Sequence, residues 1–247
     1  YANDGNAWWP ISENYLYQGG TSQAGPHVAG AAAVFVQYYR DQHGGATPSP
    51  ALVKAALINS AADLDDSGGT TSVPNNDEGW GCVNLPALIG STRDYHFTDQ
   101  TILLTNGAVF EQRVLIGRAE EPLKVTLAYT DVPGLPAAVI ALVNDLDLEV
   151  IAPTGEIFRG NQFADGESLP NAPGTDRINN VEAVHLAVPV VGEYRIRVRG
   201  ARVVEDARRD TGAVDQDFAL VISGAFGAPG EGMVTFDRAA YRAPDQI

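Results

Sequence analysis

The sequence predicts an α+β protein, with a helical N-terminal part followed by an antiparallel β-sandwich. Two stretches within residues 21–62 have the composition and spacing of helices, whereas from about residue 92 apolar residues alternate with polar ones. Turn signals that contain Gly and Pro separate the alternating runs, which is typical of a sandwich of short strands. We therefore place a helical region at residues 1–91, the sandwich at 92–224 and a Gly/Pro/Ala-rich tail at 225–247.

The first predicted helix covers Thr21–Arg40. Its segment Val28–Val36 is apolar on every side, and a helix of that kind is normally buried. Gly44 and Gly45 follow shortly afterwards, where glycine commonly ends a helix. The sequence thus predicts a long helix that is enclosed by other parts of the protein.

The second predicted helix runs from Pro50 through Ala62. Ser49 is a favoured residue for capping its N-terminus, and Pro50 suits the first turn because its missing N–H would have no helical partner there. The segment Asp63–Gly79 is rich in Asp, Asn, Gly and Ser and is predicted to be a loop. A short helix around Leu85–Leu88 completes the helical region.

The alternating runs indicate which side chains form the core of the sandwich. Every second residue is apolar, so one face of each strand is expected to be buried and the other to be polar. The apolar members of these runs are Leu123, Val125, Leu127, Tyr129, Leu146, Leu148, Val150, Val184, Leu186, Val188, Tyr194, Ile196, Val198, Phe218, Leu220 and Ile222.

Composition narrows the classes of protein to which the chain can belong. The 247 residues carry a formal net charge of −15, which disfavours a nucleic-acid partner and agrees with solubility alone or with carboxylate-bound cations. Cys82 is the only cysteine, so neither an internal disulfide nor a cysteine-based metal site can form. No apolar stretch has the length of a membrane span. The chain opens without a signal peptide or an initiator Met, so we expect further polypeptide before Tyr1.

The segment GTSQAGPHVAG, residues 20–30, places Ser22 at the start of the first predicted helix. Gly19 and Gly20 lack a Cβ, which allows a substrate carbonyl to approach, and the helix N-terminus favours an oxyanion beside the hydroxyl. The spacing Gly20-x-Ser22-x-Ala24 is close to the nucleophile elbow of α/β-hydrolases, but that fold needs alternating strands and helices downstream. An incidental serine on a buried helix is another interpretation.

The same segment resembles the serine motif of the subtilisin-like serine proteases, G-T-S-x-A-x-P-x-V-A-G. Gln23 and Gly25 stand where that family usually has Met and either Thr or Ser, and neither position takes part in the chemistry. Pro50–Leu57 and Gly79–Asn84 also resemble the family's sequence after its serine. All fixed positions of the motif are present, namely Gly20, Thr21, Ser22, Ala24, Pro26, Val28, Ala29 and Gly30.

The resemblance continues beyond residue 92. Leu142–Leu148 and Asn179–Glu182 are similar to the C-terminal jelly-roll domain of KP-43-type alkaline subtilases. This resemblance implies that residues 1–91 are the C-terminal fragment of a subtilisin-like α/β catalytic domain and that residues 92–224 form a jelly roll. It also implies a secreted endopeptidase that acts on a protein or peptide substrate through an acyl-enzyme at Ser22.

The family also needs an Asp, a His and an oxyanion-hole Asn, which in the family's chain order would all precede Tyr1. We therefore expect this chain alone to be inactive or nearly so, the parent protein to be active, and the N-terminal part of the same precursor to be a partner. A non-catalytic β-sandwich module that binds protein or glycan, or has a structural role, is the alternative. The histidines of the chain, none of which stands at a family base position, are His27, His43, His96 and His185.

Two groups of acidic and amide residues are candidate calcium ligands. Asp145, Asp147 and Glu149 alternate with leucines and would share one strand face, where like charges need a cation or a basic strand. Calcium prefers such oxygen ligands, and the resembled family binds structural calcium in this domain. The alternative is a solvated acidic face neutralised by Arg195, Arg197 or Arg199. The acidic segment at 63–68 is predicted to be a surface loop. The candidate ligands are Asp145 and Asp147, and with less support Asp176, Asn180 and Glu182.

Overall fold

The computed structural model describes residues 9–12, 15–17, 19–64, 72–90 and 93–227. Contacts between residues divide the chain into two compact units, Tyr1–Thr47 and Pro48–Ile247. This division after Thr47 rests on contacts, whereas the boundary predicted after residue 91 separates two domains of different origin. That domain boundary stays a prediction. Among the described residues, no helix is long and apolar enough to cross a membrane.

The first unit contains a pair of short strands and one long helix. Strands β1 (Trp9–Ser12) and β2 (Tyr15–Tyr17) are antiparallel. Helix α1 (Thr21–Gln42) begins directly after Gly20. The predicted first helix is therefore confirmed, and it extends to Gln42, just before the turn at residues 43–45.

Much of the surface of α1 is exposed, so the helix that the sequence predicts to be enclosed is covered on one stripe only in this chain. Ala31, Phe35 and Tyr39 are buried, and their spacing of four places them on one stripe of the helix. Val28 and Val34 are exposed at 41% and 43%. A helix that is apolar on all sides needs neighbours on all sides, and within the described residues only one stripe is covered.

Helix α2 (Pro50–Ser60) opens the second unit and begins as predicted. The hydroxyl oxygen of Ser49 accepts the N–H of Leu52 at 2.9 Å, and Pro50 occupies the first turn. The helix ends before the expected Ala62, because Ala62 instead forms an isolated antiparallel bridge with Cys82.

The short helix α3 (Leu85–Ile89) matches the prediction for that region. Asn84 caps it, since its Oδ1 accepts the N–H of Ala87 at 3.1 Å. Residues 65–71 lie outside the described residues, and with them most of the segment 63–68 that was predicted to be a surface loop. Residues 228–247, which include nearly all of the predicted tail, also lie outside the described residues.

The strands of the second unit form two antiparallel sheets. They are β3 (Asp94–Leu104), β4 (Val109–Ile116), β5 (Leu123–Ala128), β6 (Asp145–Ile151), β7 (Ile157–Ala164), β8 (Glu167–Pro170), β9 (Val181–Leu186), β10 (Gly192–Arg202) and β11 (Gln216–Gly224). The five-stranded sheet has the order β4-β10-β6-β7-β8 and the four-stranded sheet the order β3-β11-β5-β9. Together with the helices, these sheets confirm the α+β class, while the jelly-roll topology stays a prediction.

A single hydrophobic core is built from residues of both sheets. It contains the predicted alternating residues of β5, β6, β9, β10 and β11, from Leu123 to Ile222. Val188 is the exception, because β9 ends at Leu186 and Val188 is 79% exposed beyond it. Pro189 follows immediately and has no N–H with which to continue a strand ladder.

Helix α2 packs against the face of the four-stranded sheet that points away from the core. Since Leu123 and Val125 enter the core, Lys124 and Thr126 lie on the opposite face of β5. Asn59 of α2 reaches that face and donates hydrogen bonds to both residues. Asn59 therefore joins the otherwise largely apolar buried side of α2 to this face of the sheet.

Candidate functional site

Ser22 lies in the first turn of α1, and its side chain is exposed. The carbonyl oxygen of Gly20 accepts the N–H groups of Gln23 at 3.1 Å and of Ala24 at 3.0 Å. The N–H groups of Thr21 and Ser22 come before the first acceptor of the helix, so they have no partner within α1. The Ser22 hydroxyl is therefore placed beside free donors, at the positive end of the helix dipole.

Two backbone features shape this turn. Gly20 has φ 141° and ψ 165°, a conformation that favours glycine, so a side chain at this position would be strained. Pro26 lies inside α1 and has no N–H to donate to the carbonyl of Ser22 one turn earlier. The helix continues through Pro26, as expected for a proline close to a helix start.

The two histidines of the first unit are bound to the backbone of their own helix. His27 Nδ1 lies 2.6 Å from the carbonyl oxygen of Gln23, one turn earlier in the helix. His43 Nδ1 lies 2.9 Å from the carbonyl oxygen of Tyr39, and the two rings stack with their centroids 3.8 Å apart. In both rings Nδ1 is therefore held by a helix carbonyl and not by Ser22. The remaining two histidines lie in strands β3 and β9 of the second unit.

Three of the predicted calcium ligands are deeply buried. Asp145 and Asp147 alternate with Leu146 and Leu148, which enter the core, so both aspartates lie on the opposite face of β6. Glu182 belongs to β9 and lies on its core-facing side. The residues Asp145, Asp147 and Glu182 are only 2%, 6% and 1% exposed. Carboxylates buried to this extent need partners, or their pKa values shift.

Glu182 supplies a hydrogen bond where two strands separate. Strand β6 pairs with β7 from Ile151 back to Glu149, which is opposite Arg159. The next N–H along the edge, that of Leu148, is accepted by Glu182 Oε2 at 2.7 Å. The carboxylate thus replaces a strand partner, and its other oxygen, Oε1, has no partner among the described residues.

Burial raises the pKa of all three carboxyl groups. The pKa of Glu182 lies well above its ordinary value, chiefly because of burial, and the charges of Asp147, Asp176 and Asp145 add to the effect. Burial and then the charge of Asp145 raise the pKa of Asp147. Burial also raises the pKa of Asp145, against the opposing charge of Arg177. These mutual effects show that the structure brings the carboxylates together.

Arginines offset part of this negative charge. Neutralisation by arginine was the alternative to calcium in the sequence analysis. Arg177 Nη1 lies 2.8 Å from Asp145 Oδ2. Arg199, one of the three arginines predicted for this role, is opposite Asp147 in the pairing of β6 with β10. Arg177 was not predicted, because it comes from the segment before β9 and only the tertiary structure places it beside Asp145.

Asp176 is surrounded by hydrogen-bond donors. Its two oxygens accept from Asn161 Nδ2 at 2.6 Å, Asn179 Nδ2 at 2.7 Å and the N–H groups of Ile178 and Asn179 at 2.8 and 3.1 Å. Although burial alone would raise it, these hydrogen bonds leave the pKa of Asp176 below its ordinary value. Asn180 donates its side-chain N–H to a backbone carbonyl at 2.9 Å. With its oxygens already taken by donors, Asp176 is a poor cation ligand.

The remaining carboxylates match calcium in part. Asp145 Oδ1, Asp147 Oδ1 and Glu182 Oε1 are buried and have no hydrogen-bond partner among the described residues. A cation would satisfy such oxygens. However, Asp145 and Asp147 lie on a strand face that points away from the core, whereas Glu182 lies on a face that points toward it. The described ranges contain no group of three His, Cys, Asp or Glu side chains arranged to hold a metal ion. Calcium binding therefore stays a prediction, now centred on Asp145 and Asp147, which share one strand face.

The structure also gathers side chains that the sequence motifs did not single out. Lys124 and His185 are opposite each other in the pairing of β5 with β9. Together with Arg93 they line one cavity. The sequence feature that could have pointed to this cluster is the position of Lys124 within an alternating apolar run, which places it on the face away from the core.

Comparisons with known proteins point to proteases. Residues 9–81, which include Ser22, α1 and α2, match the Subtilase family of peptidases. The chain is also similar to the serine protease/ABC transporter B family protein tagA of Dictyostelium discoideum, with 30% identity over 208 residues. That alignment covers 75% of this chain, whereas the chain spans about 11% of the length of the relative. The first similarity relates residues 9–81 to subtilases, and the second relates three quarters of the chain to a protein named as a serine protease.

Proposed function

We propose that this chain is the nucleophile-bearing C-terminal portion of a secreted subtilisin-like serine endopeptidase. The observation that carries the proposal is an exposed Ser22 in the first turn of α1, within the segment that matches the Subtilase family. In this proposal residues 1–91 are the C-terminal part of the catalytic domain, and residues 92–224 are a jelly-roll domain of the kind that follows it in alkaline subtilases.

The proposed chemistry uses the local geometry of α1. Ser22 Oγ attacks the carbonyl carbon of a peptide bond while a base takes its proton. The carbonyl oxygen becomes an oxyanion, which the Ser22 N–H and the helix dipole stabilise. The tetrahedral intermediate then breaks its C–N bond, the amine leaves with the proton from the base, and water hydrolyses the acyl-enzyme. Gly20 leaves room for the substrate carbonyl to approach.

The base, the aspartate that orients it and the oxyanion-hole asparagine come, in this proposal, from the N-terminal part of the same precursor. His27 and His43 are bound to helix carbonyls and are not placed to serve Ser22. Removal of one triad residue lowers the rate by roughly 10⁴- to 10⁶-fold in proteases of this kind, so the chain alone would be nearly inert. The same N-terminal part would cover the exposed Val28 and Val34 of α1.

A serine-directed fluorophosphonate tests this proposal. We expect rapid labelling of Ser22 in a longer protein that includes the N-terminal part, and labelling at least a thousandfold slower in this chain alone. Ser22→Ala should abolish the label in the longer protein, whereas the matched control Ser72→Ala, at another exposed serine, should leave it unchanged. Equally rapid labelling of the chain alone would refute the inert state, and an active longer protein labelled elsewhere would refute Ser22 as the nucleophile.

We further propose that the two-sheet unit binds structural Ca²⁺ through Asp145 and Asp147, which share one face of β6. The support is the buried oxygen of each that has no partner among the described residues. Calcium would neutralise the charge of this face, in a chain whose single cysteine provides no disulfide. Secretion is proposed from the resemblance to subtilisin-like proteases, and recovery of the parent protein from culture medium rather than from cells tests it.

A non-catalytic β-sandwich module is the second candidate function. The positions of His27 and His43 favour it, since Nδ1 of each ring lies against a helix carbonyl oxygen and not against Ser22. A longer protein that contains the N-terminal part and still hydrolyses no peptide would support the module. Proteolysis that is lost in Ser22→Ala would exclude it.

A further inference from the structure

A cavity of about 340 Å³ lies where the end of α2 meets strands β5 and β9. Its walls include Ala61 after α2, Lys124 of β5 and His185 of β9. Arg93, Asp63 and Glu167 supply further charged groups at its surface. The cavity belongs wholly to the second unit and has no part in the site at Ser22.

Lys124 presents its amine to this cavity from the polar face of the four-stranded sheet. It is half-buried, and its Nζ donates one hydrogen bond, to the carbonyl oxygen of Ala61 at 3.1 Å. Its neighbours on the adjacent strands are Ser223 of β11 and His185 of β9. No carboxylate among the described residues is in ion-pair contact with this amine, which is unusual for a lysine with so little exposure.

His185 lines the cavity beside Lys124 and has an unused ring nitrogen. The residue is only 7% exposed, and its Nε2 has no hydrogen-bond partner among the described residues. The rings of Trp80 and Phe163 pack around it, with centroids 6.2 and 5.2 Å away. Burial, followed by the charge of Lys124, lowers the pKa of His185 to about 3, so the ring is neutral at physiological pH. A buried polar atom of this kind is normally matched by a ligand or a water molecule.

Burial and the charge of Arg93 favour an uncharged amine at Lys124, whereas the carboxylates of the cavity wall oppose it. Burial and then the positive charge of Arg93 lower the pKa of Lys124 to about 8, against the opposing charge of Asp63. Asp63 Oδ2 already accepts the N–H of Val73 at 3.2 Å, and Glu167 accepts the N–H of Ala187 at 3.0 Å, so both carboxylates have other donors. Asp165 is the remaining carboxylate of the cavity wall, and within the described residues its side chain accepts no backbone N–H.

We propose that Lys124 is a carbamylation site, at which the amine in this cavity takes up carbon dioxide. The nitrogen lone pair of the neutral amine forms a bond to the carbon of CO₂. One C=O π bond opens to give a carboxylate, and the nitrogen releases one proton to solvent. The product is Lys–NH–COO⁻, and no oxidant, reductant or leaving group is needed.

The same side chains suit the product. The remaining N–H of the carbamate keeps the hydrogen bond to the carbonyl of Ala61. Arg93, whose Nε also lies 3.7 Å from Glu121 Oε2, attracts the new negative charge, and the carbamate oxygens can accept a hydrogen bond from Nε2–H of His185. An uncharged reactant such as CO₂ also loses little hydration when it enters the cavity.

The chain offers an internal control, because Lys54 and Lys124 are its only lysines. Lys54 lies on α2 and is exposed. With a pKa of about 8, roughly one amine in four is neutral near pH 7.5, against about one in a thousand for an ordinary lysine. The two sites can therefore be compared within one molecule, without any substitution that could affect folding.

The experiment equilibrates the wild-type protein with carbon-13-labelled bicarbonate near pH 7.5, traps carbamates with a trialkyloxonium salt and maps the peptides by mass spectrometry. We expect at least tenfold more trapped carbamate at Lys124 than at Lys54, and none at position 124 in Lys124→Arg. Arg93→Gln should lower the yield at Lys124, whereas Lys54→Arg should leave it unchanged. Peptide mapping separates any product on the terminal amine.

Equal trapping at Lys54 and Lys124, or no trapping at Lys124, would overturn the proposal. A yield at Lys124 that is independent of CO₂ concentration would overturn it as well, because the carbamate forms reversibly. Thermal unfolding of Lys124→Arg and Arg93→Gln establishes that each variant is folded. The decisive comparison remains that of the two lysines in the wild-type protein.

Discussion

The side-chain amide of Asn59 on α2 donates to Thr126 Oγ1 on β5 at 3.1 Å, with both groups completely buried. The same nitrogen also lies 3.1 Å from the carbonyl oxygen of Lys124 and 3.2 Å from that of Val221 on β11. One side chain thus joins α2 to two neighbouring strands. Without it, all three acceptors would lose this donor.

We therefore expect Asn59→Ala to destabilise the protein by about 2–4 kcal/mol, since buried acceptors that lose their donor cost about 1–3 kcal/mol each. Urea unfolding measures the change. The matched control is Asn76→Ala at an exposed position, which should alter stability by less than about 0.5 kcal/mol. A loss at Asn59 no greater than that of the control would contradict the role of this amide.

Gly160 on β7 lies against the buried side chain of Glu182. A Cβ at position 160 would come within 2.6 Å of Glu182 Cβ and 2.8 Å of its Cδ. Glu182 cannot easily move away, because its carboxylate holds the N–H of Leu148. We expect Gly160→Ala to destabilise the protein by about 1–3 kcal/mol or more, as overpacking does.

A double-mutant cycle tests whether this clash is the cause. Glu182→Ala should remove the clash, so Gly160→Ala should cost much less in that background, with a coupling energy of about 1 kcal/mol or more. Gly30→Ala is the control, because nothing lies within 4 Å of its Cβ position and alanine is the better helix former. Additive effects of the two changes in the cycle would rule out the contact as the source.

Calcium should stabilise the protein if Asp145 and Asp147 bind it. A ligand at a hundred times its dissociation constant adds about 2.7 kcal/mol to the free energy of unfolding, so Ca²⁺ should raise the Tm and a chelator should reverse the shift. Asp147→Asn should lose most of the shift, whereas Asp41→Asn on the exposed part of α1 should keep it. An unchanged Tm in wild-type protein, with no binding heat, would count against calcium at this position.

His185 should make the protein sensitive to acid. Its pKa is lowered to about 3 in the folded state, so between about pH 3 and 6.5 the unfolded state binds more protons and stability falls as the pH is lowered. The loss approaches about 1.4 kcal/mol for each pH unit below 6.5. His185→Phe keeps an aromatic ring between Trp80 and Phe163 and removes the titration.

The test compares urea unfolding of wild type and His185→Phe at pH 7 and pH 4.5. The variant should gain about 2 kcal/mol or more relative to wild type on going to the lower pH. The control His27→Gln, at an exposed histidine, should follow wild type. Parallel pH profiles for wild type and His185→Phe would show that this histidine is not buried in its neutral form.

Much of the local structure could be predicted from the sequence because it rests on neighbouring residues. Ser49 and Pro50 set the start of α2 through a cap and a fixed φ, and both are within one turn of the helix they begin. The alternating apolar residues identified one face of each of five strands, and those residues form the core. Strands β3, β4, β7 and β8 were not identified individually. Burial is irregular in β3 and β7, and in β4 it alternates, but the buried face includes the polar Gln112.

The sequence by itself determined that Ser22 stands at the N-terminus of a helix, since the motif and the helix start are contiguous, whereas the exposure of Ser22 is known only from the structure. Only the tertiary structure decided which charges meet. Arg177 reaches Asp145 and Glu182 reaches Leu148 across 32 and 34 residues of chain, and Lys124 faces His185 through strand pairing. Such meetings depend on sheet order and register, which arise from long-range packing that no local pattern encodes.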